Sequence, residues 1–282
     1  DTWFSSGLWT FSTLGWPENA QYDKNGAPSK SGDLATYHPT TLLETGHDII
    51  FFWVARMILM SGYHLGEIPF ETVYLHGLVK TATGEKMSKS KGNAVDPVEM
   101  SDTYGTDAVR MALIVGNTPG TDLPLSEEKI KAYKHFANKI WNASRFVLEN
   151  SGDVAYDEPP ELTDDDRAAC ERLDTVVADV TADLDAYRLH IASEKLYQYF
   201  WHEFADVIIE TVKERLRNES VSEDEKLSGQ WTLLYILTRS VMVLHPFMPF
   251  LTEELWSLFP HTDGSLMVTR WPKVGTKGNA SQ

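Results

Sequence analysis

Apolar and polar positions follow two rhythms along the chain, and the rhythm changes near residue 126. Before that point short β-prone runs alternate with helical ones. Residues 37–45 read as a short strand, and Gly46 falls at its end. Asp48 then opens a helix to about residue 60, its carboxylate complementing the positive N-terminal dipole. Residues 72–79 are rich in β-branched and aromatic types and read as a second strand, with His76 and Gly77 near its carboxyl end. A strand–glycine–helix turn and an adjacent strand end are where open α/β sheets bind ligands. The run after Asp48 is apolar on nearly every face, which predicts a buried helix and requires a partner for Arg56 inside it. Asp96-Pro97 opens another helix, since proline suits the first helical position. A further helix begins at Tyr104-Gly105-Thr106 and ends at the Gly116–Gly120 breaker. Residues 18–38 are polar and rich in Gly, Pro, Ser, Asn and Lys, and read as a surface loop.

After residue 126 the apolar positions recur at helical spacing. Phe136, Ile140, Trp141, Ala143, Phe146 and Val147 form one stripe, and Glu127 and Glu128 suit the first turn of that helix, which reaches about residue 149. Thr163 caps a second helix. Stripes follow along residues 173–187 and 191–212. Residues 220–225 read as a charged loop, residues 231–244 as an apolar helix stopped by His245-Pro246, and residues 251–259 as a short last helix. The predicted fold class is therefore α/β (residues 1–125) followed by an all-α bundle (residues 126–282).

Composition bounds the partners. A length of 282 residues allows about two domains. The formal charge of −16 argues against a broadly basic nucleic-acid binder, so any RNA contact must use local patches. Cys170 is the one cysteine, which excludes a disulfide framework and a cysteine-rich zinc site; a reducing cytoplasm fits, and no metal site is expected. Arg56 interrupts the most apolar run, so no membrane span is expected.

The densest chemistry lies in Gly84-Glu85-Lys86-Met87-Ser88-Lys89-Ser90-Lys91-Gly92-Asn93. Mobile cations, hydroxyls and glycines between ordered elements suit a polyphosphate, while a solvated charged loop is the plainer alternative. Walker spacing is absent. Near the start, Trp3, Phe4 and Trp9 stand among small hydroxyl residues and suit either an apolar pocket or ordinary core packing.

Lys86-Met87-Ser88-Lys89-Ser90, with Thr45-Gly46-His47-Asp48-Ile49-Ile50-Phe51-Phe52-Trp53 upstream and His76-Gly77-Leu78-Val79 between, resembles the class I aminoacyl-tRNA synthetases, and within them the valyl branch. Ala137-Asn138-Lys139-Ile140-Trp141 and His245-Pro246-Phe247-Met248-Pro249-Phe250 resemble that family's anticodon-binding domain. The resemblance implies the second half of a Rossmann-like catalytic domain, then a tRNA-binding bundle. It implies ATP, with Mg2+, together with L-valine and tRNA(Val), as the molecules bound by a cytoplasmic monomer. Lys86 and Lys89 would stabilise the leaving pyrophosphate, with Ser88 and Ser90 donating hydrogen bonds. Gly46, Asp48, His76, Gly77, Leu78, Val79 and Met87 would bind ATP and the adenylate, Asp48 through the ribose hydroxyls. Trp3, Ile49 and Trp53 would wall the amino-acid pocket. Lys129, Lys131, Lys134, Arg145 and Arg217 are candidates for RNA contact.

The family's His-Ile-Gly-His-type motif, its editing domain and its C-terminal arm are not found here, and the chain opens on Asp1 rather than methionine. The expectation is a carboxyl-terminal piece that does not form the adenylate by itself. Another branched-chain synthetase, isoleucyl or leucyl, and a non-catalytic synthetase-derived tRNA-binding module are the alternatives.

Overall fold

A computed structural model describes residues 2–87, 92–93, 95–152 and 154–274. The chain forms two compact units, Asp1–Val79 with Asn117–Leu123, and Lys80–Gly116 with Pro124–Gln282.

The first unit opens with the short helices α1 (Thr2–Gly7) and α2 (Trp9–Ser12). Residues 18–38, expected as a loop, instead hold an antiparallel hairpin, β1 (Ala20–Tyr22) with β2 (Pro28–Lys30), and helix α3 (Gly32–Tyr37). The turn formers that suggested a loop make the hairpin's reversal. The Asp23 carboxylate accepts from the Asn25 and Ala27 N–H groups, each at 2.8 Å. Leu34 is fully buried beside Phe11 and Leu65, which docks the segment.

Strand β3 (Thr40–Gly46) runs parallel to β4 (Phe70–His76), in a register that sets Gly46 opposite His76. Parallel neighbours need a crossover. It is a continuous helical run made of a 3₁₀ turn (His47–Ile49), a π turn (Ile50–Val54) and α4 (Ala55–Leu65), which Gly66 ends with φ of 70°. Leu43, Val54, Met57 and Phe70 form the core beneath it, with Trp53 and Val73 packed alongside. The helix is not buried all round as the sequence predicted. Phe51 is 82% exposed and Tyr63 84%, and Ile58 and Leu59 share that open side. A two-stranded sheet covers only one face of its crossover helix. Arg56 does lie within the apolar run, and His47–Leu65 is nonetheless long and apolar enough, by length and composition only, to cross a membrane. Here it serves as the crossover of the β3–β4 pair, and Arg56 is buried against α1.

The chain leaves the first unit within β5 (Val79–Lys80) and again within β6 (Leu123–Pro124). In the second unit, Asp96 caps α5 (Pro97–Tyr104) by accepting from the Val98 N–H at 2.8 Å. Gly105, at φ of 94°, turns the chain into α6 (Thr106–Ile114). The bundle follows: α7 (Glu127–Asn150), α8 (Asp164–Asp185), α9 (Leu189–Gln198), a π-helical stretch (Tyr199–Ile208), α10 (Ile209–Arg217), α11 (Glu223–Leu244) and α12 (Pro249–Leu258). Ser126 caps α7 and Thr163 caps α8, each through its side chain. One core joins these helices, and Met111 of α6 is fully buried within it.

The expected charged loop at 220–225 is mostly the start of α11. Ser222 and Glu225 form a reciprocal capping box, so the acidic residues belong to the first helical turn. Ser222→Ala removes the acceptor for the Glu225 N–H and is expected to cost about 1 kcal/mol, read by chemical denaturation.

One buried histidine, His38, and two partly buried ones, His245 and His261, add a pH dependence. Burial pushes His38 and His245 below the ordinary histidine value, against the raising pull of Glu67 and of Glu253 respectively. Burial likewise lowers His261. The unfolded chain then binds more protons than the folded one as pH falls below about 6.5, so stability is retained above that value and lost on acidification. Thermal melts between neutral and mildly acid pH should show a falling Tm; a rising one contradicts this.

Candidate functional site

The parallel register fixes the first group of residues. Gly46 ends β3 and His76 ends β4, side by side at the carboxyl edge of the pair. The chain turns at once into the 3₁₀ turn that carries Asp48, whose side chain is exposed. A Cβ on Gly46 would sit 2.6 Å from the Asp48 Oδ1 and 3.5 Å from the His76 ring. The absent side chain of Gly46 is therefore the space in which Asp48 and His76 approach one another. Asp48 lies in the first turn rather than at the cap position, so its carboxylate meets the turn's positive end without being consumed by a capping bond.

His76 is held from two sides. Its Nδ1 lies 2.8 Å from the Gly77 carbonyl oxygen and its Nε2 3.3 Å from a Glu44 carboxylate oxygen. The Nδ1 of His47 lies 3.4 Å from the His76 carbonyl. Gly77 is buried and pressed against the returning segment of its own unit: a Cβ there would fall 1.8 Å from the Thr121 carbonyl oxygen. That segment is sewn on by main-chain bonds. Gly120 N–H donates to Leu75 O at 2.8 Å and Leu123 N–H to Leu78 O at 2.9 Å, while Leu78 N–H donates to Asp122 Oδ1 at 2.8 Å. Leu78 and Val79 are half-buried.

The aromatic residues take separate positions in the same unit. Trp53 is half-buried against the core under the crossover helix, and Ile49 is partly exposed at its start. Trp3 on α1 is 49% exposed, and the Arg56 guanidinium lies 4.4 Å from its ring centroid. The Nη1 of Arg56 donates to Ser6 Oγ at 2.9 Å and Thr2 O at 3.3 Å. Arg56, one turn beyond Trp53, thus finds its partners in the helix that carries Trp3.

The cationic stretch belongs to the second unit. Its first half is a tight turn: Thr81 N–H donates to Glu85 O at 2.9 Å, Gly84 N–H to Thr81 O at 2.8 Å, and Glu85 N–H to Thr81 Oγ1 at 3.0 Å. Gly84 has φ of 82°, which the turn requires. Lys80 and Lys86 pair as an antiparallel bridge. Asn93 Nδ2 donates to Lys86 O at 3.4 Å. Lys86 therefore has a fixed backbone and an exposed ammonium, and Met87 beside it is half-buried. Ser88, Lys89 and Ser90 lie outside the described residues.

Glu44, Thr121 and Asp122 were not singled out by sequence reasoning. Glu44 lies among the threonines and leucines of β3 opposite Tyr74, and only strand pairing brings its carboxylate to the His76 ring, while Asp122 lies 44 residues beyond the Leu78 it holds.

Comparison with known proteins follows the same division. Residues 1–126 match the family of class I tRNA synthetases (I, L, M and V), and residues 166–281 match the anticodon-binding domain of tRNA ligase. A valine–tRNA ligase of Clostridium acetobutylicum is 46% identical over 98% of this chain, and one of Thermotoga maritima is 46% identical over 97%. The chain spans 30% of the length of each. Among solved structures, a leucyl-tRNA synthetase of Agrobacterium radiobacter K84, in a ternary complex with tRNA and LeuAMS, superposes with a TM-score of 0.75 at 20% identity. It covers 98% of this chain and 33% of that one, and it speaks for the fold. A Mycobacterium tuberculosis methionyl-tRNA synthetase, in complex with methionyl-adenylate, gives a TM-score of 0.70 at 25% identity over 90% of this chain and 48% of its own.

Proposed function

The chain belongs to the class I tRNA synthetases of the isoleucine, leucine, methionine and valine group, and from that premise we propose that it forms part of a valine–tRNA ligase. The complete enzyme would join valine to tRNA(Val) in two steps. The valine carboxylate attacks the α-phosphorus of ATP, the bond to the β-phosphate oxygen breaks, and pyrophosphate leaves. A terminal ribose hydroxyl of the tRNA then attacks the activated carbonyl and AMP leaves.

The observation that carries this reading is the meeting of Asp48 and His76 over Gly46 at adjacent strand ends. An exposed carboxylate there suits the two hydroxyls of a ribose, and the buried main chain at Gly77 and Leu78 suits a flat base. Trp53, with Ile49 and Trp3, would wall a branched apolar side chain. Lys86, with Lys89 and the hydroxyls of Ser88 and Ser90, would meet the charge that builds on the departing pyrophosphate. Magnesium belongs in this scheme to ATP, as the companion of its phosphates. Among the described residues no group of three His, Cys, Asp or Glu is arranged to hold a metal.

In this reading residues 1–125 serve catalysis, residues 126–282 serve tRNA binding, and the enzyme works as a cytoplasmic monomer. The open apolar side of the crossover helix, Phe51, Phe52, Leu59 and Tyr63, would be covered in the complete enzyme by the rest of the nucleotide-binding sheet. The relatives' greater length supports this. The test is ATP–pyrophosphate exchange by the native polypeptide containing this sequence, with valine, isoleucine and leucine offered separately. Exchange should be fastest with valine. Preference for isoleucine or leucine, or tRNA binding with no exchange at all, overturns the proposal.

A further inference from the structure

Asp107 and Arg110 stand three residues apart on α6, on one side of the helix. Both reach the turn between α11 and α12. The Asp107 carboxylate accepts from the Leu251 N–H at 2.6 Å and the Phe250 N–H at 3.4 Å, two orphan donors in the first turn of α12. Arg110 donates through Nε to the Phe247 carbonyl at 3.2 Å and through Nη2 to the Pro246 carbonyl at 3.0 Å. One helix thus grips a turn by its amides on one side and its carbonyls on the other. A cap for α12 would need only the acid. The arginine caps nothing; it fixes the orientation of the turn on α6. Apolar residues would attach the two more cheaply, so a buried carboxylate and a half-buried guanidinium, each bonded to the main chain of the turn, are better suited to specifying one arrangement.

At the other end, bonds from the bundle hold α5, α6 and the start of the lysine turn. Lys129 of α7 donates to the Val115 carbonyl at the end of α6, at 2.8 Å. Lys134 of α7 donates to the Thr103 carbonyl in α5 at 2.9 Å, and the Tyr104 hydroxyl meets Glu127. Leu125 N–H donates to the Lys80 carbonyl at 2.9 Å, where the turn begins. Met111 is fully buried in the bundle's own core. Helices α5 and α6 are therefore built into the helical bundle.

We propose that Asp107 and Arg110 are positioning residues that make the α11–α12 turn part of the support of the lysine turn at residues 80–87, so that loosening their grip slows the step the lysines serve. The kinetic half of this proposal rests on the function proposed above; the mechanical half does not. The native polypeptide carrying Arg110→Gln is compared with wild type and with Glu253→Gln. Glu253 also binds its neighbours tightly, accepting from Ser265 Oγ at 2.7 Å and Leu266 N–H at 2.9 Å and lying 3.9 Å from the His245 ring at the end of α11, but it makes no bond to α6 among the described residues. Hydrogen–deuterium exchange should speed up about tenfold at residues 80–87 and 97–114 in Arg110→Gln, as local opening free energy falls. Those segments should be unchanged in Glu253→Gln. Valine-dependent exchange by Arg110→Gln should lose about tenfold in kcat at near-constant KM for valine, with Arg110→Lys intermediate, because misplaced supporting groups cost turnover. If Arg110→Gln does not melt cooperatively, Asp107→Asn, which keeps the shape and one acceptor, takes its place. Wild-type exchange rates at 80–87 in a folded Arg110→Gln or Asp107→Asn, or the same loosening in Glu253→Gln, overturn the proposal. A wild-type polypeptide without valine-dependent exchange sinks the proposed function instead, and the hydrogen-exchange comparison still decides the coupling.

Discussion

Lys86→Ala is expected to lower the kcat of valine-dependent ATP–pyrophosphate exchange by about 10²–10³-fold, the range seen when one preorganised donor to a developing charge is removed. The KM for valine should stay close to its starting value, since the charge on pyrophosphate exists only as the bond breaks. The structure explains why this lysine is suited to the task. Its backbone is fixed by the Lys80 bridge and the Asn93 side chain, while its ammonium is left in solvent. A fixed base with a solvent-exposed ammonium keeps the charge available. Lys86→Arg should recover part of the rate, because guanidinium keeps the charge but presents a wider, planar donor set. The measurement is exchange kinetics on the native polypeptide. Loss of valine binding with unchanged kcat would assign Lys86 to ground-state binding.

Gly77→Ala is expected to be comparably damaging by a different route. A methyl group would lie 1.8 Å from the Thr121 oxygen, 2.2 Å from its carbonyl carbon and 2.6 Å from the Asp122 nitrogen. All three are main-chain atoms, so no rotamer change relieves the clash, and the segment at 117–123 must shift bodily. That shift strains the Leu123–Leu78 and Leu78–Asp122 bonds and moves the His76 carbonyl edge. Overpacking of this kind costs about 1–3 kcal/mol in stability. Displacement of binding groups by about 1 Å costs on the order of 10²-fold in turnover efficiency, here in kcat/KM for ATP. Thermal melts and ATP titrations of exchange check both parts. Gly62→Ala, where a Cβ meets nothing within 4 Å, is the control and should leave both readings unchanged.

The strand–helix–strand frame was legible because each piece announces itself locally. β-branched runs end in glycine, an acid opens the helix, and the carboxyl ends of parallel strands point to one edge. That reasoning also brought Gly46, Asp48, His76 and Gly77 onto adjacent strand ends, where the structure has them. The helix starts at Asp96 and Thr163 were legible for the same reason, since the capping acceptor precedes its donor by only two or three residues.

What stayed hidden depends on distance along the chain or on what lies outside a helix face. Asp122 and Glu44 gain their roles only once strands pair. Asp107 and Arg110 meet partners 144 and 136 to 137 residues away, and nothing in their neighbourhood marks them. The hairpin in residues 18–38 was masked by composition, because a reversal built on Asp23 and Gly26 reads as loop until Leu34 is seen to be buried. Apolar residues on every side of a helix predict burial but do not state what does the burying, and so the open side of His47–Leu65 was missed.

The central claim is that Asp48, His76 and Trp53 hold the adenylate of valine. Its most direct test is a crystal structure of the native polypeptide with a non-hydrolysable valyl-adenylate analogue. The account predicts both ribose hydroxyls on the Asp48 carboxylate, the base against the main chain at Gly77–Leu78, and the isopropyl group against Trp53. An analogue bound elsewhere, or bound with Asp48 and Trp53 turned from it, would contradict the account.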